Sequence, residues 1–280
     1  MTINGTTKRP PSNRNLCQEG QTTVNGKRSC KGKIVFQELF NDLSTSKWKK
    51  EKKFAGDPDY EFVLYQDNAT NVYVKDKILH IKPTLLEDAY GEGFATNSQG
   101  IDLGATCTGV YGTDQCVLKP RAWLILPPVI SAQISTMDYF SFKYGIVEIS
   151  AKLPKGDWIY PGLRYSYTPI GRFCCQPKVN GDRSLSSRTV GKRFNIGSIR
   201  SRGRKDLEIF DVLYYRLQMF LSLGVGVGGQ VYPDIPEVHK PWVSGEPKAQ
   251  LNFYRNKDKW YNTWNDDSEL LVDYIKVWAI

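Results

Sequence analysis

The chain has 280 residues, of which 40% are hydrophobic and 12% aromatic, so it can bury a substantial core. Its 38 Lys and Arg residues against 29 Asp and Glu leave a formal charge of +9, but no recognised nucleic-acid motif accompanies that charge, and nucleic-acid binding is not expected. No apolar run approaches the length of a membrane span, and two histidines without CxxC or HxxxH spacing give a zinc site little support.

The first third of the chain predicts a polar linker followed by short strands. Residues 1–16 are polar with two adjacent prolines, which is typical of a disordered linker, and residues 17–280 are predicted to form one domain. Short runs rich in β-branched and aromatic residues begin at residue 34. Asp76 and Lys77 separate two of these runs and predict a tight hairpin.

The remainder of the chain continues this pattern with scarcely any helical periodicity. Residues 87–120 are glycine-rich and predict loops, and residues 212–221 predict a buried strand. Residues 247–260 predict one short helix, and the strict alternation in residues 271–280 predicts the last strand. Many short strands with so little helix imply an all-β fold, an antiparallel two-sheet sandwich of the jelly-roll kind.

The cysteines and sequons favour a secreted protein, although the first residues contain no apolar stretch typical of a signal peptide. The spacings within two pairs, Cys17 with Cys30 and Cys107 with Cys116, suit local disulfides. For the adjacent Cys174 and Cys175 no partner is predicted. Two triplets are expected glycosylation sites, at Asn4 and Asn68.

The stretch 142–167, FKYGIVEISAKLPKGDWIYPGLRYSY, combines a regular strand with many aromatic residues. Alternation over 146–153 predicts that Val147, Ile149, Ala151 and Leu153 share the buried face, and residues 154–156 predict a turn. A second strand is expected to carry Trp158, Tyr160, Arg164 and Tyr167 along one face, with Tyr165 reaching in from a loop after Pro161 disrupts the register.

Two interpretations of these aromatic residues stay open. Flat rings with a hydrogen-bonding rim suit the faces of sugars, and the same rings also pack sandwich cores. We expect Tyr160 and Tyr165 to form a stacking platform, with Arg164 either donating to sugar hydroxyls or contacting an anionic polymer, whereas the sequence does not decide between platform and core for Trp158.

The same stretch resembles the family-16 glycoside hydrolase pattern KYGRVEVRAKLPxGDWxWPAxW. The segment TNVYVKDKILHIKPTLLED, residues 70–88, is similar to the arthropod branch called β-1,3-glucan recognition proteins or Gram-negative bacteria-binding proteins. The resemblance covers most of residues 15–165 and 222–280. It implies a concanavalin A-like jelly roll, with β-1,3-glucan or other microbial wall polymers and immune serine-protease cascade components as partners, and with no cofactor.

The sequence departs from that family where the hydrolases place their catalytic carboxylates. Arg202-Gly203-Arg204 occupies the place of the family's R-G-N, which aligns Asn195, Gly197 and Arg200 with the nucleophile, the middle aspartate and the acid/base. None of the three side chains can perform that role. Glu208 and Asp211 are another carboxylate pair, but a spacing of three on a regular strand puts them on opposite faces, and only a β-bulge would bring them to the same face.

A second departure is the short middle of the chain. Twenty residues separate Arg202 from Leu223, where the family normally has several more strands, so the sandwich is expected to lack strands. The resulting hypothesis is a non-catalytic domain that recognises β-1,3-glucan or related wall polysaccharide in innate immunity, with Trp158, Tyr160, Arg164 and Tyr165 as contacts. The alternatives are an endo-β-1,3-glucanase, and a vestigial structural domain without sugar affinity.

Overall fold

The computed structural model describes residues 17–167, 200–202, 205–212 and 218–280 of the chain. Within these ranges, none of the helices has the length and apolar character needed to cross a lipid bilayer. The elements, in chain order, are β1 (Glu19–Val24), β2 (Lys27–Cys30), β3 (Ile34–Glu38), β4 (Lys49–Lys50), β5 (Lys53–Phe54), β6 (Val63–Tyr65), β7 (Val72–Lys75), β8 (Ile78–Ile81), β9 (Thr84–Leu85), α1 (Leu86–Tyr90), β10 (Ile101–Asp102), β11 (Val117–Leu118), β12 (Val129–Ser131), β13 (Gln133–Ser135), β14 (Phe142–Lys143), β15 (Gly145–Lys152), β16 (Ile159–Pro161), β17 (Arg164–Tyr167), β18 (Arg200–Arg202), β19 (Lys205–Val212), β20 (Met219–Val227), α2 (Ala249–Arg255), α3 (Lys257–Trp260) and β21 (Leu270–Trp278).

Two large antiparallel sheets make up most of the fold. The first, here called the β20 sheet, has the order β2-β1-β14-β20-β13-β4, with β16 and β17 also pairing with β20. The second, the β15 sheet, has the order β18-β19-β15-β21-β8-β7, with β3 also pairing with β21. A smaller sheet, β5-β6-β12-β9, contains a parallel pair between β6 and β12 and continues from the β20 sheet, because Ala132 alone separates β12 from β13.

The two large sheets pack face to face over one apolar core. Strand β15 contributes Val147, Ile149 and Ala151 to this core, and β20 contributes alternate residues from Leu221 to Val227. Each fully buried side chain of this kind stabilises the fold by roughly 1.5–3 kcal/mol. The prediction of an antiparallel two-sheet jelly-roll sandwich is confirmed, as is the predicted buried face of residues 146–153.

Local predictions also hold where the sequence carries strong turn or alternation signals. Strands β7 and β8 pair as a hairpin closed by Asp76 and Lys77, whose φ angles of 52° and 60° match the two-residue turn expected there. The final alternating strand is confirmed as β21. The single helix predicted near the C-terminus is two consecutive helices, α2 and α3.

Two disulfides close short loops as predicted, Cys17–Cys30 and Cys107–Cys116. The predicted linker 1–16 with Asn4, and the cysteines at 174 and 175, lie outside the described residues. Asn68 lies in the loop between β6 and β7, where its Oδ1 accepts hydrogen bonds from the backbone N–H groups of Thr70 (3.1 Å) and Asn71 (2.9 Å). Glycosylation of Asn68 stays a prediction.

A buried carboxylate ties helix α1 to the C-terminal helices. Glu87 accepts hydrogen bonds from the backbone N–H of Gly93 (2.7 Å), the Tyr254 hydroxyl (2.6 Å) and the Lys257 ammonium (2.7 Å). Burial alone would raise the pKa of Glu87, but these donors outweigh it and hold the pKa below its usual range. The ionised carboxylate therefore stabilises the arrangement that places α2 and α3 beside the sandwich.

Candidate functional site

The aromatic half of the 142–167 stretch pairs with β20 in one unbroken register. Ile159 lies opposite Val227 and Pro161 opposite Val225, and Arg164 follows opposite Ser222 without any inserted residue. Between the two strands, the backbone N–H of Gly162 donates to the carbonyl of Gly224 at 2.7 Å. The expected disruption of register after Pro161 is therefore wrong, because the proline sits where the ladder continues on both sides.

This register decides which predicted residues share a face of the sheet. Directly opposed residues of an antiparallel pair lie on the same face. Positions 160 and 164 oppose Gly226 and Ser222, on the face of β20 opposite to that of Leu221, and on this second face Tyr160 is also buried in the hydrophobic core cluster. Positions 165 and 167 oppose Leu221 and Met219, which belong to the core. Position 167 therefore lies on the other face from positions 160 and 164, contrary to expectation, and position 165 lies on that other face as well.

Tyr160 is packed inside the protein rather than presented on an open face. Its side chain is 8% exposed, and its ring lies against Gly226, where even a Cβ atom would overlap it. The ring also meets Tyr232 edge-on, with centroids 6.0 Å apart. Glycine at 226 is what lets a tyrosine lie flat on the neighbouring strand. The structure therefore gives Tyr160 a packing role, and stacking of a sugar on Tyr160 is the alternative that a binding measurement on Tyr160→Ala tests.

Trp158 occupies a different position, in the turn just before β16. Its φ angle of 64° takes it off the strand path, and its backbone carbonyl accepts a hydrogen bond from the N–H of Gly228 at 2.9 Å. The half-buried indole meets Tyr232 and Trp242 edge-on, with centroids 5.2 and 5.0 Å away. One side of the ring is held by these contacts, which leaves the rest to face a pocket.

The turn that carries Trp158 is fixed by the segment preceding β21. The backbone N–H of Asp157 donates to Thr263 Oγ1 at 2.8 Å, and the indole N–H of Trp264 donates to the Asp157 carbonyl at 3.0 Å. The Ser268 hydroxyl donates to the carbonyl of Lys155 at 2.6 Å. Gly156, at φ 138°, packs so closely on Trp264 that a Cβ atom there would lie 2.9 Å from the indole. This turn therefore positions Trp158 rigidly.

A pocket of about 470 Å³ opens beside Trp158. Its aromatic walls are Trp158 and Trp260, and its polar groups come from Asp157, Asn256 and Lys259, while the segment His239, Lys240 and Pro241 completes the lining. The volume lies within the range of small-molecule sites, and an aromatic wall with a few hydrogen-bonding groups is the usual composition of such sites. We call this the Trp158 pocket.

The ammonium of Lys240 is fully committed within the protein. The side chain is 2% exposed, and Nζ donates to Asp234 Oδ1 (2.6 Å), to Ser244 Oγ (2.7 Å) and to the carbonyl of Tyr232 (2.8 Å). Burial would raise the pKa of Asp234, but Lys240 and the Ser244 backbone hold it below its usual range. Because an ammonium has three donors, Lys240 shapes the pocket and has none left for a ligand.

Asp157 is the acidic group of the pocket. Partial burial raises the pKa of its carboxyl, and burial together with the nearby Asp157 charge raises the pKa of Tyr232, whose hydroxyl donates to the carbonyl of Ile159 at 3.1 Å. Among the described residues, no group of His, Cys, Asp and Glu side chains is arranged to hold a metal ion. The pocket offers an aromatic face and hydrogen-bonding groups to a ligand.

Sequence reasoning identified Trp158 but missed the other half of its pocket. Lys240, Asn256, Lys259 and Trp260 come from a loop and helices about a hundred residues further along the chain. No local spacing links them to the Asp157-Trp158 turn, and the predicted C-terminal helix was the nearest available signal.

The positions aligned with catalytic carboxylates are described only in part. Asn195 and Gly197 lie outside the described residues, and Arg200 begins β18, where it pairs with Leu207 of β19. Strand β19 pairs with β15 in an unshifted register that sets position 208 opposite Ile149 and position 211 opposite Ile146. In this regular ladder, positions 208 and 211 fall on opposite faces.

The chain was compared with known proteins. No protein-family model matches it. The β-1,3-glucan-binding protein of Tenebrio molitor is 35% identical over 98% of this chain and 72% of its own length. The chain belongs to the family of β-1,3-glucan-binding and Gram-negative bacteria-binding proteins. A further member, Gram-negative bacteria-binding protein 2 of Drosophila melanogaster, is 30% identical over 96% of this chain and 70% of its own length.

Two glucanases are among the solved structures with a similar fold. The laminarinase from Rhodothermus marinus is 15% identical, with a TM-score of 0.46, over 89% of this family member and 97% of the laminarinase. The endo-β-1,3-glucanase from Pyrococcus furiosus is 14% identical, with the same TM-score, over 91% and 96% of the two chains.

Proposed function

We propose that this chain is a non-catalytic recognition domain that binds β-1,3-glucan or a related microbial wall polysaccharide in innate immunity. The observation that carries the proposal is the Trp158 pocket, in which a rigidly held indole stands beside hydrogen-bonding groups. Relatives named for binding β-1,3-glucan and Gram-negative bacteria support the choice of ligand. Stacking of a sugar on such a ring contributes about 0.5–1.5 kcal/mol per contact.

The absence of catalysis is proposed from the sequence. A retaining glycosidase needs two carboxyl groups about 5–5.5 Å apart. The aligned positions carry Asn195, Gly197 and Arg200, and residues 183–205 contain no Asp or Glu. A pocket that binds sugar without such a pair holds the polymer and leaves it intact.

Secretion and protease-cascade partners are part of the same proposal. Disulfides persist in oxidising compartments, and this chain has two closed pairs, Cys17–Cys30 and Cys107–Cys116. An extracellular domain that binds wall polymer is placed to pass a signal to immune serine-protease cascade components, which would dock on a surface other than the Trp158 pocket.

The test is a titration of the full chain with laminarin oligosaccharides, followed by tryptophan fluorescence. We expect saturable binding that Trp158→Ala weakens and that Trp123→Ala leaves unchanged, since Trp123 is 49% exposed and does not line the pocket. Reducing ends are measured in the same samples. Absence of binding would overturn the recognition role, and release of reducing sugar that Glu208→Gln abolishes would instead establish a glucanase.

A further inference from the structure

The Asp157 carboxylate is the acidic group of the Trp158 pocket, and the fold leaves it available to a ligand. Its backbone is fixed on both sides, by Thr263 Oγ1 and by the indole N–H of Trp264. No hydrogen bond or ion pair to the carboxylate itself is found among the described residues, and the residue as a whole is exposed although its carboxyl is partly buried in the pocket. Because the backbone is held in place, the carboxylate stays at the pocket as an uncommitted hydrogen-bond acceptor.

The charges around the pocket favour a neutral ligand. The ammonium of Lys240 is balanced by Asp234 at 2.6 Å, so it adds no net charge. Asp157 and Lys259 then contribute one formal charge of each sign to the lining. The carboxylate of Asp157 would repel an anionic polymer, and the ammonium of Lys259 would repel a cationic ligand. A sugar offers hydroxyl groups to both and places its apolar face on the indole of Trp158.

We infer that the Trp158 pocket reads the non-reducing end of a β-1,3-linked glucan, with Asp157 accepting hydrogen bonds from two adjacent ring hydroxyls. This rests on the proposed function and narrows its ligand to the chain end. A carboxylate binds best when both of its oxygens accept from neighbouring donors at once. Within a β-1,3 chain the oxygen at carbon 3 forms the linkage, so the free hydroxyls at carbons 2 and 4 are not adjacent. The terminal unit carries free hydroxyls at carbons 2, 3 and 4.

The size of the pocket agrees with an end-reading role. At about 470 Å³ it lies in the lower half of the range for small-molecule sites, which suits the end of one chain better than a bundle of strands. The amide nitrogen of Asn256 donates to the carbonyl of Asn252 at 2.8 Å, and the side-chain oxygen of this lining residue is a further acceptor. Two acceptors beside one ring match a sugar unit with several free hydroxyls.

The inference is tested by removing adjacent hydroxyls from the ligand. Periodate cleaves carbon–carbon bonds between adjacent hydroxyls, and it therefore destroys the terminal units of a linear β-1,3 oligosaccharide while sparing the interior. The full chain is titrated with three ligands: the intact oligosaccharide, the same oligosaccharide with its reducing end reduced by borohydride, and the periodate-oxidised and reduced form. We expect equal affinity for the first two and a loss of roughly tenfold or more for the third.

The protein side of the experiment uses Asp157→Asn, with Asp266→Asn as the control because Asp266 is exposed and does not line the pocket. We expect Asp157→Asn to weaken binding of the intact ligand by roughly tenfold, with an unchanged melting temperature, and to respond no further to periodate treatment. Equal binding of oxidised and intact ligands by the unmodified protein would overturn the end-reading inference and leave the proposed function standing. No binding of any ligand would refute both.

Discussion

Replacing Tyr160 and Trp158 separately by alanine distinguishes packing from ligand contact. Tyr160 is 8% exposed, and its ring contacts both Gly226 and Tyr232, so Tyr160→Ala leaves a cavity beside these two residues. Removing a large aromatic side chain from such a site costs about 3–5 kcal/mol of unfolding free energy. At about 2–4 °C per kcal/mol for a chain near this size, the melting temperature should fall by roughly 10 °C.

Trp158→Ala should lower ligand affinity and should reduce stability less than Tyr160→Ala does. The indole is half-buried with two edge-on ring contacts, so its loss should cost roughly half as much stability as a fully buried aromatic residue. Laminarin oligosaccharide affinity should fall by about 0.5–1.5 kcal/mol, which is a factor of about 2 to 13. Tyr160→Ala should leave that affinity unchanged at a temperature where the variant is folded.

The melting temperature of each variant is measured by calorimetry. The fluorescence titration is then carried out at 10 °C below the lower of the two melting temperatures, where both variants are folded with a stability of roughly 2–5 kcal/mol. The reasoning fails if Tyr160→Ala weakens binding while its melting temperature is unchanged. In that case the tyrosine ring would be a contact surface, and the stacking platform expected from the sequence would replace the Trp158 pocket as the binding site.

Three further outcomes follow from the structure. The pKa of Glu87 is lower in the folded protein, so the stability that its carboxylate contributes is present above the unfolded pKa of about 4.3 and is lost as pH falls through the folded pKa. Melting temperatures measured between about pH 3 and 7 should therefore fall less with acid in Glu87→Gln than in the unmodified protein. The same dependence of melting temperature on pH in both proteins would contradict this. Gly226→Ala should lower the free energy of unfolding in urea by about 1–3 kcal/mol, because the added methyl group overlaps the ring of Tyr160. In the double variant with Tyr160→Ala the overlap is gone, so the two losses of stability should sum to more than the loss of the double variant. Strictly additive losses would show that the two residues are not in contact. Cys107→Ser should lower the free energy of unfolding by at most about 3 kcal/mol in the same assay, because the loop that the disulfide closes is short. A variant that fails to fold would show that the disulfide stabilises more of the protein than this loop.

The sequence by itself determined features whose signals are local. The alternation over 146–153 fixes which side chains of β15 are buried, since successive residues of a strand face opposite sides. The hairpin at Asp76 and Lys77 and the two short-loop disulfides depend on residues that are close in the chain. Motif resemblance added the family and the jelly-roll fold, and both are confirmed.

Tertiary structure decided the face of each aromatic residue and the composition of the pocket. Local alternation puts positions 160 and 165 on opposite faces of the strand, but what each face packs against depends on the register with β20, some sixty residues away. The positive φ of Trp158 takes it off the strand and is visible only in the folded turn. The pocket joins the Asp157-Trp158 turn to Asn256 and Lys259 because packing of α2 and α3 brings them together. Long-range packing of this kind leaves no periodic trace in the sequence.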